Sequence, residues 1–444
     1  MTDVPWPALM LLGLMAGIFS GYPVAFVLAG IGILFAFLSD IPILFLSLGV
    51  GRIFSGILAN WLLVAIPLFV FMGLMLERSG IAERLLQTLA AVFGGLPGGY
   101  AFAVALIGVI MAASTGIIGA SVVLMGMMAL PAMRESGYDM RLSAGLIAAS
   151  GTLGILIPPS VMLIILGDQL QISVGDLFMG AIVPGLVLGG LYFAYLTLVA
   201  VFQPHRMPPA RRSASLPLLQ TLWALVRDLA VPLLLILSVL GTIIAGIATP
   251  TESAAIGAAG ALLLALVSQR LSLGALRTAL ADTTTTTAMI VFVMIGASIF
   301  AVVFRRLGGD AMLADLFLGT GFGPMLVLLK IMALIFVLGF FLEWVEITLV
   351  VVPIVAPILI ALDFGMPREH VLIWFAIALA VNLQTSFLTP PFGYALFYLR
   401  GIAPDVPIAT IYRGVIPFVA IQLLALALIL AFPGLALDLP LSRR

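Results

Sequence analysis

The side chains in this sequence that could do chemistry within apolar surroundings are few and fall into clusters. Ser114-Thr115-Gly116 brings two hydroxyls and a glycine into an apolar run. Gly154, Ile157, Pro158 and Ser160 belong to the decapeptide Gly151 to Ser160, which contains adjacent prolines. Gly339 is followed closely by the carboxylates Glu343 and Glu346. Asn382, Gln384, Thr385, Ser386 and Thr389 lead into Pro390, Pro391 and Phe392. Polar groups inside membrane spans are costly, so each marks a ligand pathway, a partner or an interface. Hydroxyls and unwound carbonyls are the hard oxygen ligands a sodium ion takes, and the amide and hydroxyl groups before Pro390 suit a polar organic ligand. Two readings stay open for the remaining groups. Ser114 to Gly116, with Gly119-Ala120-Ser121 on nearly the same helical face, also suits close packing of small residues. Glu343 also suits a helix end at headgroup depth.

The elements that position these groups are set by the two proline pairs. Pro158-Pro159 and Pro390-Pro391 remove backbone donors and push the preceding residue out of the α region, so a helix arriving at Ile157 or Thr389 must break. In bilayer hydrocarbon a broken backbone survives only where protein or a cavity covers it. Such breaks at corresponding places in the two halves point to a midplane binding site built from half-helix ends.

The chain has 444 residues, of which 63% are hydrophobic and 9% charged. Its mean hydropathy is +1.31. This composition predicts an all-α polytopic membrane protein, with apolar runs about twice the length a barrel strand needs. The formal net charge of +0 implies no nucleic-acid partner, and a Cys count of 0 excludes disulfides, thiolate metal sites and cysteine nucleophiles. The first apolar run follows Met1-Thr2-Asp3 without a basic leader and reads as a retained helix.

Apolar spans are predicted at residues 7 to 38 with a break at Gly21-Tyr22-Pro23, then 57 to 76, 100 to 133, 141 to 166, 177 to 202, 229 to 248 and 252 to 268. The second half adds 287 to 304, two spans over 323 to 362, then 369 to 399 and 413 to 432. The sizeable polar connection runs from Gln203 to Asp228, and its arginines argue for a cytoplasmic location. The basic C-terminal pair Arg443-Arg444 argues the other way if the repeats are inverted, and the longer loop carries more arginines. A repeat extends beyond the proline pairs: Pro131 matches Pro357, and Pro184 matches Pro417. Each half thus reads as a re-entrant hairpin followed by a broken helix.

Thr249-Pro250-Thr251-Glu252 reads as a helix N-cap with an acidic first turn. Thr283 to Thr287 reads as a helix entry whose hydroxyls bond backbone carbonyls. His205 and His370 lie in loops without a second ligand, so no metal other than sodium is expected. No nucleotide-binding glycine-lysine loop is present, which leaves an ion gradient as the energy source. An intramembrane enzyme would need a nucleophile, base or metal set at midplane, and Glu343 with Glu346 do not supply one. A continuous channel fits duplicated broken hairpins less well than alternating access does.

At these residues the chain resembles the large membrane (M) subunit of tripartite ATP-independent periplasmic (TRAP) transporters over nearly its full length. The carrying segments are Ala113 to Gly116, Pro131 to Tyr138, Gly154 to Ser160, Leu177-Phe178 with Pro184-Gly185, Ala248 to Glu252, and Asn382 to Gly393. The resemblance implies an elevator-type, sodium-coupled importer in the cell inner membrane. Its partners would be a small four-helix membrane subunit and a periplasmic binding protein that delivers an organic anion, usually a carboxylate. A self-sufficient sodium/dicarboxylate symporter of the same superfamily is the alternative.

The implied organisation places N-terminal scaffold helices at 1–98 and a first transport arm with hairpin 1 at 99–202. A loop with second scaffold helices follows at 203–322, then a second arm with hairpin 2 at 323–444. By position, one sodium site would use Ser114, Thr115, Gly116, Gly154, Ile157 and Pro158, and a second Gly339, Glu343, Ser386, Thr389 and Phe392. Substrate would meet Ser160, Asn382, Gln384, Thr385 and Pro390, with the second hairpin carrying more of the polar contacts. The chain departs from the commoner serine-rich first motif at Ile117 and Ile118.

Overall fold

The computed structural model describes every residue except 1–3, 94, 116–117, 210–217, 320, 391–392 and 444. It is helical throughout, with no strand among the described residues. The first half comprises α1 (Trp6–Phe19), α2 (Val24–Leu38), α3 (Ile43–Ile53), α4 (Ala65–Arg78), α5 (Ile81–Phe93), α6 (Gly99–Thr115), α7 (Ile118–Glu135), α8 (Met140–Thr152), α9 (Val161–Leu170) and α10 (Val174–Phe202). The second comprises α11 (Leu218–Ile244), α12 (Pro250–Val267), α13 (Leu273–Arg306), α14 (Gly309–Leu318), α15 (Pro324–Leu338), α16 (Trp344–Glu346), α17 (Val352–Ala361), α18 (Arg368–Leu388), α19 (Tyr394–Ile402), α20 (Ile408–Ala431) and α21 (Gly434–Leu441). A π-helical turn at Ile347–Val351 joins α16 and α17 into one 18-residue helix. Eight of the helical segments are long and apolar enough to cross a membrane.

Prolines set many of the helix starts. Pro23, Pro42, Pro367 and Pro407 flank the first turns of α2, α3, α18 and α20, and Pro250 and Pro324 occupy first positions, where a missing N–H costs nothing. Thr249 caps α12 through a reciprocal bond with Glu252, as its sequence predicts. The threonine run differs from expectation: Thr283 to Thr287 lie in the middle of the 34-residue α13, not at its entry. The hydroxyls of Thr283, Thr284 and Thr285 do bond the carbonyls of Ala279, Leu280 and Ala281. The polar connection is also shorter than expected, because α11 already starts at Leu218 and absorbs Arg227 and Asp228.

Both proline sites break a helix as the sequence predicts, but neither break is the tip of a hairpin. α8 tightens into a 3-10 turn at Leu153–Ile155 and stops before Pro158, and α18 stops at Leu388 before Thr389 and Pro390. The helices beyond the breaks, α9 and α19, hold 10 and 9 residues and do not turn back. Asp139 at the start of α8 bonds Arg206 beyond the 29-residue α10, and Trp374 near the start of α18 bonds Ile429 near the end of α20, so each proline site breaks a helix that continues to the opposite end. In the first half the pair that turns back is α6 with α7, whose outer ends meet where the Tyr138 hydroxyl accepts from the Tyr100 amide at 3.2 Å. α18 is buried along its full apolar window.

The two halves repeat each other and pack reciprocally. α8 of the first arm crosses α20 of the second, where a Cβ on Gly145 would sit 2.0 Å from the Gly414 carbonyl oxygen. In the matching contact, Gly180 of α10 lies against Ile373 and Ile377 of α18. Gly145 and Ile377 hold the same place in the repeat, each 13 residues before the first proline of its pair (158 − 145 and 390 − 377). The outer helices pair likewise: Gly296 of α13 packs on the backbone of Ala25 in α2, and Gly257 of α12 on Met72 of α4.

Candidate functional site

The inner ends of four broken helices meet at one cavity of about 240 Å³. Ile118, Val161 and Tyr394, the first residues of α7, α9 and α19, line it together with Trp344, the first residue of the Trp344–Ala361 helix. The scaffold side is closed by Val70 of α4 and by Thr286, Met289 and Ile290 of α13. Phe387, Tyr398, Gly119, Glu343 and Val345 complete the wall, and no Lys or Arg is among the lining residues.

The electrostatics follow from the chain direction at the breaks. The first turn of a helix leaves backbone N–H groups unpaired and carries the positive end of the macrodipole, so convergent N-termini favour an anion without a basic side chain. The N-cap residues of α9 and α19 offer no side-chain cap, which leaves first-turn amides there available, whereas the Trp344 helix carries the Glu346 carboxylate in its own first turn. Glu343 is the one carboxylate of the lining and immediately precedes Trp344. It suits a cation, or a donor group on the ligand.

The sequence-selected residues divide by placement. Glu343 faces this cavity, while Gly154, Ile157, Pro158, Ser160 and Pro390 belong to the breaks between α8 and α9 and between α18 and α19 and are not among its lining residues. The Ser160 hydroxyl closes the first break by donating to the Ile155 carbonyl at 2.6 Å. Gly339 ends α15 and lets α18 press close, with a Cβ there only 2.5 Å from that of Ser386. Ser114 and Thr115 end α6, but their side chains, together with Gly116 and Phe392, fall outside the described residues.

The polar cluster before Pro390 turns away from the cavity. Thr385, Ser386 and Thr389 donate to the carbonyls four residues back, Val381, Asn382 and Thr385, at 2.8, 3.0 and 2.8 Å. Asn382 donates to the Met332 carbonyl of α15 at 2.8 Å. Gln384 is fully buried with its Nε2 toward Thr152 of α8, and Gln422 of α20 reaches both Thr152 and the hydroxyl of Tyr192 in α10, the latter at 2.8 Å. Asn382 and Gln384 thus join helices, Thr385 bonds back within its own, and none of the three lines the cavity. Sequence reasoning missed Thr286, Tyr394 and Tyr398. Tyr394 had a readable signal, being the first helical residue beyond the second proline pair.

At the start of α8 the Asp139 carboxylate accepts from the Arg141 amide and from Arg206 Nε, both at 2.8 Å, which ties the polar connection to α8. Burial alone would raise the pKa of Asp139. The Arg141 amide and the Arg206 guanidinium outweigh it and hold the carboxyl below its usual range.

A helical membrane protein whose two repeated, re-entrant hairpins and broken helices enclose a mid-depth cavity is a transporter by fold. Residues 11–435 match the family model for the tripartite ATP-independent periplasmic transporter, DctM component, and the chain belongs to this family. It is 31% identical over 382 residues to the C4-dicarboxylate TRAP transporter large permease DctM of Pseudomonas aeruginosa, covering 86% of each chain. It is 30% identical over 430 residues to the sialic acid TRAP transporter large permease SiaM of Vibrio cholerae, covering 96% of this chain and 97% of that one. To the isethionate TRAP transporter permease DctMQ of Oleidesulfovibrio alaskensis it is 31% identical over 374 residues, 84% of this chain and 57% of that longer relative. Among solved structures it resembles the YdaH transporter of Alcanivorax borkumensis, with a TM-score of 0.57, 18% identity, and 86% and 87% of the two chains covered. MtrF of Neisseria gonorrhoeae likewise gives 0.57, at 14% identity over 88% and 84%. At such identity the likeness speaks to the fold alone.

Proposed function

We propose that this chain is the large permease subunit of an inner-membrane importer in which an inward sodium gradient drives uptake of an organic anion, most simply a carboxylate. The observation that carries the proposal is the cavity between arm and scaffold, bordered by four helix starts and by no basic side chain. Fixed backbone dipoles at mid-depth attract an anion while leaving no permanent positive charge to strand in the membrane when the site is empty. Sodium is a co-substrate here, held by carbonyls at the helix breaks with Glu343 beside them. The hydroxyls of Ser386 and Thr389 already bond their own helix, so main-chain oxygens are the better candidate ligands.

Family membership supports the partners: a small membrane subunit that braces the scaffold and a periplasmic binding protein that presents the ligand. The relatives named above are described as carrying C4-dicarboxylates, sialic acid and isethionate, all organic anions, which supports the substrate class. Transport would follow an elevator movement of the two arms as one body against the scaffold.

Reconstitution tests this reading. The chain is placed in proteoliposomes with its small subunit, and the cognate binding protein is loaded with its radiolabelled ligand. Accumulation should require both an inward sodium gradient and the binding protein. Accumulation without the binding protein would favour a self-sufficient symporter, and equal accumulation on a proton gradient in sodium-free buffer would exclude sodium coupling.

A further inference from the structure

A second cavity, of about 610 Å³, lies beyond the first along the same seam between arm and scaffold. Three elements line both. α13 passes from Ile290 in the first to Met294 in the second, α9 from Val161 to Asp168, and the Trp344 helix from Val345 to Leu349. Advancing one or two turns down these helices therefore leads from the first cavity to the far end of α9. The 29-residue α10 separates the end of α9 from Arg206, which pairs with Asp139 at the start of α8, so the second cavity opens toward the face opposite the arginine-rich connection.

The charges in this cavity are unevenly satisfied. Asp168 is almost completely buried, and its two carboxylate oxygens accept from Asn60 Nδ2 at 2.6 Å and Gln169 Nε2 at 2.9 Å. Arg52, by contrast, makes no hydrogen bond or ion pair among the described residues. Arg305 gives one N–H to the Pro353 carbonyl at 3.3 Å, while its Nε is buried and donates no hydrogen bond. The Asp310 carboxylate stands 3.7 Å from that Nε, beyond hydrogen-bond reach, and Asp310 does not line the cavity. The negative group of this vestibule is thus already solvated by amides, whereas its two guanidinium groups retain donors.

We infer that this second cavity is an anion-binding vestibule, in which Arg52 and Arg305 hold a carboxylate on its way between the first cavity and the face at which α9 ends. A planar guanidinium offers paired donors matched to a carboxylate, and two such groups with donors to spare, beside a carboxylate already bonded to amides, concentrate an anion locally. The bond from Asn60 on the scaffold to Asp168 on the arm spans the same seam. It holds the arm against the scaffold at this level and breaks when the arm moves. The inference rests on the organic-anion reading above, and its test requires neither the substrate nor the partners.

The chain has a Cys count of 0, so a single reporter cysteine reads the vestibule cleanly. Ser298→Cys places a thiol in its wall. Labelling rates are compared for the anionic 2-sulfonatoethyl and cationic 2-(trimethylammonium)ethyl methanethiosulfonates, each normalised to its rate with a free thiol. The anionic reagent should react about tenfold faster. That preference should fall at least about threefold in Arg52→Gln and again in Arg305→Gln. Succinate should slow labelling, while its uncharged diamide should not. A preference near unity, a preference unmoved by both arginine substitutions, or a thiol that neither reagent reaches would overturn the vestibule. Any of these results would leave sodium-driven uptake to be judged on its own assay.

Discussion

Gln384 Nε2 lies 3.4 Å from Thr152 Oγ1, and these residues hold the same place in the two repeats, each six residues before the first proline of its pair (390 − 384 and 158 − 152). Around them Gln422 and Tyr192 complete a polar group shared by α8, α10, α18 and α20, each residue at most 1% exposed. The two broken helices are therefore joined through their own internal repeat, which suits a body that moves as one unit.

Thr152→Ala removes the acceptor that both glutamines approach. A buried donor left unpaired costs about 1 to 3 kcal/mol, whereas removing both partners costs less than the sum of the single changes. Thermal unfolding in detergent should show Thr152→Ala and Gln384→Leu each destabilising, with a favourable coupling of about 0.5 kcal/mol or more in the double variant. The apparent substrate constant should stay within about twofold, because neither residue lines the cavity. Additive losses would mean that the two side chains do not interact.

The crossing of α8 and α20 tolerates no side chain. Gly145→Ala would bring a Cβ within 2.0 Å of the Gly414 carbonyl oxygen, and Gly414→Ala would bring one within 2.1 Å of the Arg141 carbonyl oxygen. Both contacts are with main chain, which cannot swing aside as a flexible side-chain tip can. Overpacking of this kind costs about 1 to 3 kcal/mol or more. Each variant should accumulate poorly or melt well below the parent. Gly190→Ala, with nothing within 4 Å of the added atom, serves as the control and should melt with the parent.

Acid should loosen the polar connection. Because the folded state holds the Asp139 carboxyl below its usual range, its pairing with Arg206 is fully present above pH about 4 and is lost as pH falls through the lower folded value. Unfolding midpoints measured from pH 7 down to pH 3 should therefore decline more steeply for the parent than for Asp139→Asn. Parallel profiles would mean that the pairing adds nothing to stability.

The fold was largely legible because its strongest determinants are local. Adjacent prolines end helices by removing donors, and long apolar runs require bilayer or protein cover. α5 and α14 were missed for equally local reasons. Glu83, Arg84 and Gln87 interrupt the apolar pattern of α5, and α14 has only 10 residues with Asp310 and Asp315 among them. The site was legible at its hinges but not in its walls. Thr385, Ser386 and Thr389 looked like ligands, yet a hydroxyl on a buried helix can turn back to the carbonyl one turn earlier, and sequence does not show which way it turns. Thr286 joined the cavity only because α13 continues straight through the threonine run and presents it to the helix starts there.

The central claim, an anion held by convergent helix starts, is tested most directly by cryo-electron microscopy of the reconstituted transporter in saturating sodium with the ligand carried by its binding protein. The account predicts ligand density between Ile118, Val161, Trp344 and Tyr394, with the anionic group within hydrogen-bond distance of first-turn backbone amides. Density for the anionic group away from these helix starts, or on an arginine or lysine at mid-depth, would contradict it.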